Sequence, residues 1–407
     1  MSFVILPFEL QEAVILDLYS GDLVALCLTS KALLRLARPL LYRAIYFDLS
    51  FGALALMAKD DTEEKGDEGG QIVKEDTEKA KRELLSNRPR RDAALYATLE
   101  AHPEWTAYVK SVNLKMCSPL VAGQCRAAQL FASFSALRIL EVSDEQEPAP
   151  GTETCTFLVQ NCPRKVIWLD LTETTLDATG IGRLLEELPL LEHLVVGGKS
   201  QFHLSARHST PLTLPHLSYL ELYGHQRSTQ FMDGIIQAAP SLSTMEVEFA
   251  SIPALDPTQL DRLCHLTIYE SMWTSLDPDD PSHSPEKMAE QILSVVRACT
   301  SLVSLELTSV DDYDDDDLSV LEESPFYHVL QQLPRSLRSL TIYMSSFSPS
   351  YSFDFLASRT CSLQHLTLSH FAQSFDTTTG QDRFNVTAEE QVKAICEERE
   401  IPLTWTN

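Results

Sequence analysis

The sequence predicts an α/β fold in which short strands form a curved parallel sheet inside an arc and helices lie outside it. Three observations lead to this prediction. A short apolar pattern recurs ten times, the segments between its copies have helical periodicity, and the first fifty residues are apolar at helical spacing only. A chain of 407 residues is long enough to stack many such units around a continuous core.

The N-terminal segment, residues 1–50, is predicted to form three short helices. The first opens at residues 6–10, where Pro7 loses no hydrogen bond because it stands at the start of a helix. The second covers residues 22–28 and the third residues 33–37, before Pro39. Because three short helices make a small core, we expect apolar side chains to remain exposed there for a partner.

The next segment, residues 51–91, is predicted to be a largely disordered acidic linker. Its stretch from Lys59 to Gly70 is charged and glycine-rich and has no apolar stripe. Such a segment cannot bury enough apolar surface to offset the entropy lost on ordering.

Residues 92–407 carry about ten degenerate copies of the pattern L-x-x-L-x-L, in which other apolar residues are allowed. The copies begin at Val109, Leu137, Val166, Leu191, Leu217, Leu242, Leu263, Leu302, Leu337 and Leu363. Most intervals between their central residues are 21 to 29 residues, the length typical of leucine-rich repeats. Two longer intervals contain polar insertions at 277–285 and 311–317, which we expect to be surface loops.

Between the copies, the apolar period changes to that of a helix. Cys155, Leu158, Val159 and Cys162 fall at i, i+3, i+4 and i+7, and similar stripes follow in later copies. Each unit is therefore a helix, a turn and a strand. Since one unit cannot bury its apolar face alone, the units are expected to stack into a solenoid.

The formal net charge of −26 argues against nucleic-acid and anionic-membrane partners, because an acidic surface repels phosphate. No apolar run approaches the roughly 18 residues that cross a bilayer. Glu9, Glu12 and Asp17 stand where a secretory signal would be basic and then apolar. The nine cysteines are scattered without a C-x-x-C pair, which favours a reducing cytoplasmic or nuclear location over disulfides or zinc.

The sequence predicts no catalytic, cofactor or metal site. Residues 312–316 with Glu323 imitate a calcium loop, but Asp317 stands where the turn of that loop needs glycine. Residues 180–182 lack the third glycine of a dinucleotide loop, and no hydrolase or zinc motif occurs. We therefore expect a protein that is not an enzyme and holds no cofactor.

Three motifs of the N-terminal segment have a family-specific order. They are Leu6-Pro7-x-Glu9-Leu10, then Asp22-Leu23-Val24-Ala25-Leu26-Cys27-Leu28-Thr29-Ser30-Lys31, then Arg38-Pro39-Leu40-Leu41-Tyr42-Arg43. Together they resemble an F-box, although the closing motif is slightly short and has Tyr42 where many members have Trp. A three-helix F-box followed by a leucine-rich-repeat solenoid is similar to the F-box/LRR substrate receptors, especially fungal ones.

The resemblance implies the substrate-recognition subunit of an SCF-type cullin ubiquitin ligase. The F-box would dock a Skp-family adaptor, which joins a cullin scaffold, and other subunits would carry out ubiquitin transfer. The motif positions that contact the adaptor in this family are Leu6, Pro7, Leu10, Leu23, Leu26 and Ser30. The alternative is a leucine-rich-repeat scaffold that works without a ligase, its N-terminal helices docking only on its own repeats.

The residues between the apolar positions of each strand point to the opposite face of the sheet, which we predict to bind the substrate. The candidates are Trp168, Asp170, His193, Tyr219, Glu221, Tyr223, Glu246, Glu248 and Tyr269. Aromatic residues are enriched in binding surfaces, and carboxylates attract cations. The pattern therefore predicts a basic protein substrate, and the alternative is a solvated sheet face without a partner.

Overall fold

The computed structural model describes most of the repeat region and part of the N-terminal segment. The described residues are 20–29, 31–48, 94–116, 125–144, 152–174, 178–197, 212–223, 229–248, 252, 255–271, 285–310, 329–330, 332–334, 336–344, 363–369, 374–376, 381–383 and 386–406. They fall into two compact units, Met1–Glu192 and His193–Asn407. The predicted first helix and the predicted linker lie outside the described residues, as do the insertions at 277–285 and 311–317, apart from Pro285.

The N-terminal unit begins with two helices and continues as alternating strands and helices. Its helices are α1 (Ser20–Thr29), α2 (Lys31–Leu41), α3 (Cys125–Ala132), α4 (Thr152–Asn161) and α5 (Ala178–Glu186). Its strands are β1 (Ala44–Asp48), β2 (Ser111–Met116), β3 (Ile139–Asp144) and β4 (Trp168–Glu173). Residues 94–101 are also helical, and a 3₁₀ turn at Pro103–Tyr108 leads into β2.

The C-terminal unit contains three α-helices and ten strands among its described residues. The helices are α6 (Thr229–Ala238), α7 (Pro285–Ala298) and α8 (Val386–Glu398), with a 3₁₀ turn at Pro257–Gln259. The strands are β5 (His193–Val196), β6 (Tyr219–Leu222), β7 (Thr244–Glu248), β8 (His265–Ser271), β9 (Ser304–Val310), β10 (Ser339–Met344), β11 (His365–Ser369), β12 (Ser374–Asp376), β13 (Gln381–Arg383) and β14 (Leu403–Thr406). Strands β12 and β13 form a separate antiparallel pair.

Within each unit the strands of the main sheet are parallel and follow the order of the chain. The order is β1-β2-β3-β4 in the N-terminal unit and β5 to β11 followed by β14 in the C-terminal unit. Parallel pairing in sequence order is what repeated strand–helix units produce when each unit stacks on the previous one. The predicted α/β class and leucine-rich-repeat architecture are therefore confirmed.

The core consists of the repeated apolar positions. The three apolar positions of all ten predicted copies are buried, none with more than 7% of its surface exposed. The predicted helix stripes complete the core from the other side, as in α5, where Ile181, Leu184 and Leu185 are buried together with Leu188 just beyond the end of the helix. Burial of this large apolar area is the main stabilising contribution to a stack of short repeats.

Four of the described strands were not predicted from the sequence: the antiparallel pair β12–β13 and two edge strands of the parallel sheet, β1 and β14. Strand β1 lies in the segment predicted to be only helical and pairs with β2, Ile45 opposite Val112 and Phe47 opposite Leu114. Strand β14 closes the C-terminal unit, with Leu403 opposite Leu366. Both β1 and β14 are edge strands, and the third apolar position, which is aliphatic in all ten predicted copies, holds Phe47 in β1 and Trp405 in β14. The prediction of helix alone for residues 1–50 is therefore wrong for Ala44–Asp48.

Helices α1 and α2 correspond to the second and third predicted helices. Leu23 and Ala37 form their buried contact, and Cys27, Leu36, Leu40 and Leu41 pack around it half-buried. Helix α2 continues past Pro39 to Leu41, because a proline in the last turn interrupts only one helical hydrogen bond. None of the described helices has the length and apolar character needed to cross a bilayer.

Candidate protein-interaction face

The candidate site is the face of the sheet opposite the buried core positions, which we call the open face. Side chains alternate between the two faces of a strand, so this face consists of the residues that flank the central apolar position of each copy. The burial of β2 shows the alternation, with Ser111, Asn113 and Lys115 half-buried between fully buried neighbours. The open face is where the repeats can present side chains to a partner.

In the C-terminal unit, strand register aligns the acidic side chains of the open face. Glu221 of β6 lies opposite Glu246 of β7. Glu246 lies opposite Thr267 of β8, and Thr267 lies opposite Glu306 of β9. Parallel strands are about 4.8 Å apart, so these carboxylates form one row across four strands.

Tyrosine hydroxyls hold two of these carboxylates, Glu221 and Glu246, in place. The Tyr219 hydroxyl donates to Oε2 of Glu221 at 3.0 Å, and the Tyr223 hydroxyl donates to Oε1 of the same carboxylate. The Tyr269 hydroxyl donates to Oε2 of Glu246. We call these five residues the tyrosine–glutamate cluster.

Aromatic contacts extend the cluster. The rings of Tyr223 and Tyr269 lie 5.9 Å apart between centroids and are tilted by 32°. On the other side, the His193 ring lies 5.2 Å from the Tyr219 ring. Glu248 is aligned with Tyr269 across the β7–β8 pair and has only 7% of its surface exposed.

Burial governs the acid–base behaviour of the cluster. Burial, followed by hydrogen bonding to Glu246, raises the pKa of Tyr219 and of Tyr269 far above the usual value for a phenol. Both hydroxyls therefore stay protonated and act as donors. Burial also raises the pKa of the Glu306 carboxyl, and the nearby charge of Glu246 adds to that increase.

Seven of the nine predicted substrate-binding residues lie on the open face of the C-terminal unit, and five of these seven form the cluster. His193, Tyr219, Glu221, Tyr223, Glu246, Glu248 and Tyr269 share the open face of the C-terminal unit. Trp168 and Asp170 belong to the open face of the N-terminal unit, where Asp170 lies opposite Glu141. The carboxylate of Asp170 accepts hydrogen bonds from the amide and the hydroxyl of Thr172 at 2.8 and 2.6 Å, so it also shapes the end of β4.

The hydrogen bonds between tyrosine and glutamate were not predicted from the sequence. The signal was present in β6, where Tyr219, Glu221 and Tyr223 are two residues apart and therefore share one face. The bond from Tyr269 to Glu246 has no local signal, because it joins residues of different repeats.

The predicted adaptor-binding residues are only partly described. Leu23 is 7% exposed and belongs to the contact between α1 and α2. The backbone of Leu26 lies in α1, but its side chain and residues Leu6, Pro7, Leu10 and Ser30 lie outside what the structure describes. Two apolar residues of α1 that the analysis did not select are exposed, Val24 by 49% and Leu28 by 84%.

An aromatic junction anchors α2 to the first repeats of the N-terminal unit. The guanidinium carbon of Arg38 lies 4.4 Å from the centroid of the Trp105 ring, and His102 stacks on that ring at 4.0 Å. Tyr42 contacts Trp105 at 5.3 Å between centroids. The carbonyl oxygen of Arg43 then accepts hydrogen bonds from the amides of Lys110 and Ser111 at 2.8 and 2.9 Å, which align β1 with β2.

Among the described residues, no group of His, Cys, Asp and Glu side chains is placed to hold a metal ion. No family model matches the chain, and no curated protein matches its sequence. The architecture nevertheless indicates a class of function, because parallel repeat proteins of this type present extended surfaces to other proteins. The fold suggests a protein-interaction scaffold.

Proposed function

We propose that this protein is the non-catalytic substrate-recognition subunit of an SCF-type cullin ubiquitin ligase. The N-terminal helices dock a Skp-family adaptor, and through it the cullin scaffold, while the open face of the repeats binds a protein substrate. Ubiquitin transfer belongs to other subunits, so the proposal requires no active site in this chain. Such a ligase would operate in the cytoplasm or the nucleus.

The observation that carries the proposal is the exposed apolar face of α1. Val24 and Leu28 are one helical turn apart and are 49% and 84% exposed. They lie inside the motif of residues 22–31 that resembles the F-box. An apolar stripe of this kind on a small helix pair is typical of a surface that is buried by a partner.

The junction at Trp105 is consistent with both candidate functions. A receptor benefits from a fixed connection between its adaptor-binding helices and its repeats, because the substrate must be held at a defined place. The same junction favours the alternative, a leucine-rich-repeat scaffold without a ligase, since α2 already docks on the chain's own repeats through Arg38, Tyr42 and Trp105.

The two functions are separated by capture of a Skp-family adaptor by the full-length chain. Burial of one leucine contributes about 1.5–3 kcal/mol. Replacing Val24 and Leu28 together by Ser should therefore lower adaptor capture by roughly tenfold or more. The double variant Leu6→Ala/Pro7→Ala should have a comparable effect, because these residues match the first F-box motif.

The matched control is Leu190→Ser, which replaces an apolar side chain that is 41% exposed but lies in the repeats. It should capture the adaptor as the unmodified protein does. If the unmodified chain captures no adaptor, the scaffold function is correct. If both double variants retain full capture, the adaptor surface is assigned to the wrong helices.

A further inference from the structure

The geometry points to an arginine-bearing protein segment as the partner of the tyrosine–glutamate cluster and the adjoining Glu306. This inference rests on the proposed function only in taking the open face as the substrate surface. It adds the chemistry of the substrate and the strands that hold it, β6 to β9.

The charge of the open face favours a cationic partner. Glu221, Glu246 and Glu306 lie in one row across the sheet, and Glu248 stands beside it on β7. Strands β5–β11 and β14 contain no Lys or Arg. A partner group that fits this row must therefore bring positive charge of its own, and its approach is favoured by the field of several carboxylates of one sign.

The carboxylates and the tyrosine rings together fit a guanidinium better than an ammonium. Oε2 of Glu246 accepts a hydrogen bond from the Tyr269 hydroxyl. Because a carboxylate has about four acceptor sites, Glu246 can accept hydrogen bonds from further donors. A guanidinium presents planar, paired donors that match a carboxylate, and it stacks on aromatic rings. Tyr223 and Tyr269 supply two such rings within 5.9 Å of each other beside these carboxylates. A lysine ammonium is a compact, strongly hydrated charge. It pairs with a carboxylate and stacks on an aromatic ring less well than a guanidinium does.

Two carboxylates of the row are preorganised. The tyrosine hydroxyls orient Glu221 and Glu246 before any partner arrives, and Glu221 is only 9% exposed. Burial raises the pKa of Glu306, and the charge of Glu246 adds a smaller repulsion that a bound cation would offset. A fixed, partly desolvated row of acceptors recognises one side chain more selectively than mobile surface carboxylates do.

The site is confined to part of the face. Beyond β9, the row of Glu221, Glu246 and Glu306 continues with Thr341, Thr367 and Thr404. These residues, which we call the threonine column, carry no charge. They provide a matched control surface on the same sheet.

The inference is tested with the full-length protein and three fluorescein-labelled probe peptides, measured by fluorescence anisotropy. The first peptide alternates serine with arginine, the second serine with lysine and the third serine with citrulline. Citrulline keeps a planar end group like that of arginine but carries no charge. The arginine peptide should bind at least about tenfold more tightly than the citrulline peptide, and its affinity should fall as salt is raised. Equal binding of lysine and arginine, or no binding of any peptide, would overturn the inference.

Variants then locate the site. Glu246→Gln and Glu306→Gln keep the side-chain shape and should each weaken binding of the arginine peptide by about tenfold. Thr341→Ala and Thr367→Ala should leave it unchanged. If the Gln and Ala variants lose the same affinity for the arginine peptide, or if the Gln variants lose none, the site is not at Glu246 and Glu306. Circular dichroism checks that each variant is folded.

The outcome is independent of the adaptor experiment. A protein that captures the adaptor but discriminates among none of the three peptides retains the proposed function and loses this inference. A protein that selects the arginine peptide but captures no adaptor is an arginine-binding scaffold without a ligase.

Discussion

In the C-terminal unit, strands β6–β9 and strands β10 and β11 share one type of core but differ on the open face, and the edge strand β14 continues the open face of the second group. Both groups bury their motif positions, for example Leu222 and Ile342, each at most 2% exposed. On the open face, the first group carries the tyrosine–glutamate cluster and Glu306, and the second carries the threonine column. The comparison indicates that the repeats separate stability from recognition, one on each face of the same strand.

The two groups also differ in energetic cost. The first group buries carboxylates, as in Glu221 at 9% exposure, and a buried charge is tolerated only when hydrogen bonds compensate for lost hydration. Tyrosine hydroxyls supply those bonds in β6 and β7. The threonine column has no such requirement. A costly arrangement in only some of the repeats is a sign of function rather than of folding.

The largest expected effect tests whether the two groups share equivalent cores. Leu222→Ala in β6 and Ile342→Ala in β10 should each lower the free energy of unfolding by about 2–5 kcal/mol, because each leaves a cavity among buried side chains. Chemical denaturation measures the change. A large loss in one variant and little change in the other would show that the cores are not equivalent.

A smaller effect is expected from the hydroxyl that holds Glu246. Tyr269→Phe keeps the ring but removes a donor to a charged acceptor, which should cost about 1.5–3 kcal/mol. The matched change Thr367→Val removes a hydroxyl from the threonine column and should stay within about 0.5 kcal/mol. Equal unfolding midpoints for the two variants in denaturant would argue that the cluster is not held together by its hydrogen bonds.

The smallest effect concerns the pH dependence of stability at Glu306. Its pKa is raised in the folded protein, so the folded state binds more protons than the unfolded state between the two pKa values. Stability therefore falls as pH rises through that interval, and the penalty persists at neutral pH. Glu306→Gln removes it and should raise the melting temperature slightly at neutral pH but not at strongly acidic pH.

The control for that measurement is Thr341→Val, which should change the melting temperature by the same amount at both pH values. If Glu306→Gln instead lowers the melting temperature at neutral pH, the ionised carboxylate makes a stabilising contact and the expected direction of the effect is wrong. The same variant is expected to bind the arginine peptide more weakly. The two measurements together therefore show whether Glu306 lowers the stability of the protein while it contributes to binding.

Much of the fold could be predicted from the sequence because repeat architecture is local. Leu191, Leu194 and Val196 are buried at the spacing that predicts them, and the other nine copies behave alike. A strand of period two and a helix of period 3.6 each require their apolar residues at set intervals. Strands β1 and β14 could not be found in this way, because they lie at sheet edges with a relaxed pattern and depend on pairing with β2 and β11.

The composition of the open face was also determined by the sequence, since alternation alone places Tyr219, Glu221 and Tyr223 on one side of β6. Tertiary structure decided which of these groups meet. The repeat phase also predicts that Glu221 lies opposite Glu246, since each follows the central apolar residue of its copy, but only packing brings the Tyr269 hydroxyl to the Glu246 carboxylate from 23 positions along the chain. Packing also decided the burial that raises the pKa of Glu306. Hydrogen bonds and hydration depend on side-chain conformations and burial that form only when the strands pair, and the repeat pattern does not specify them.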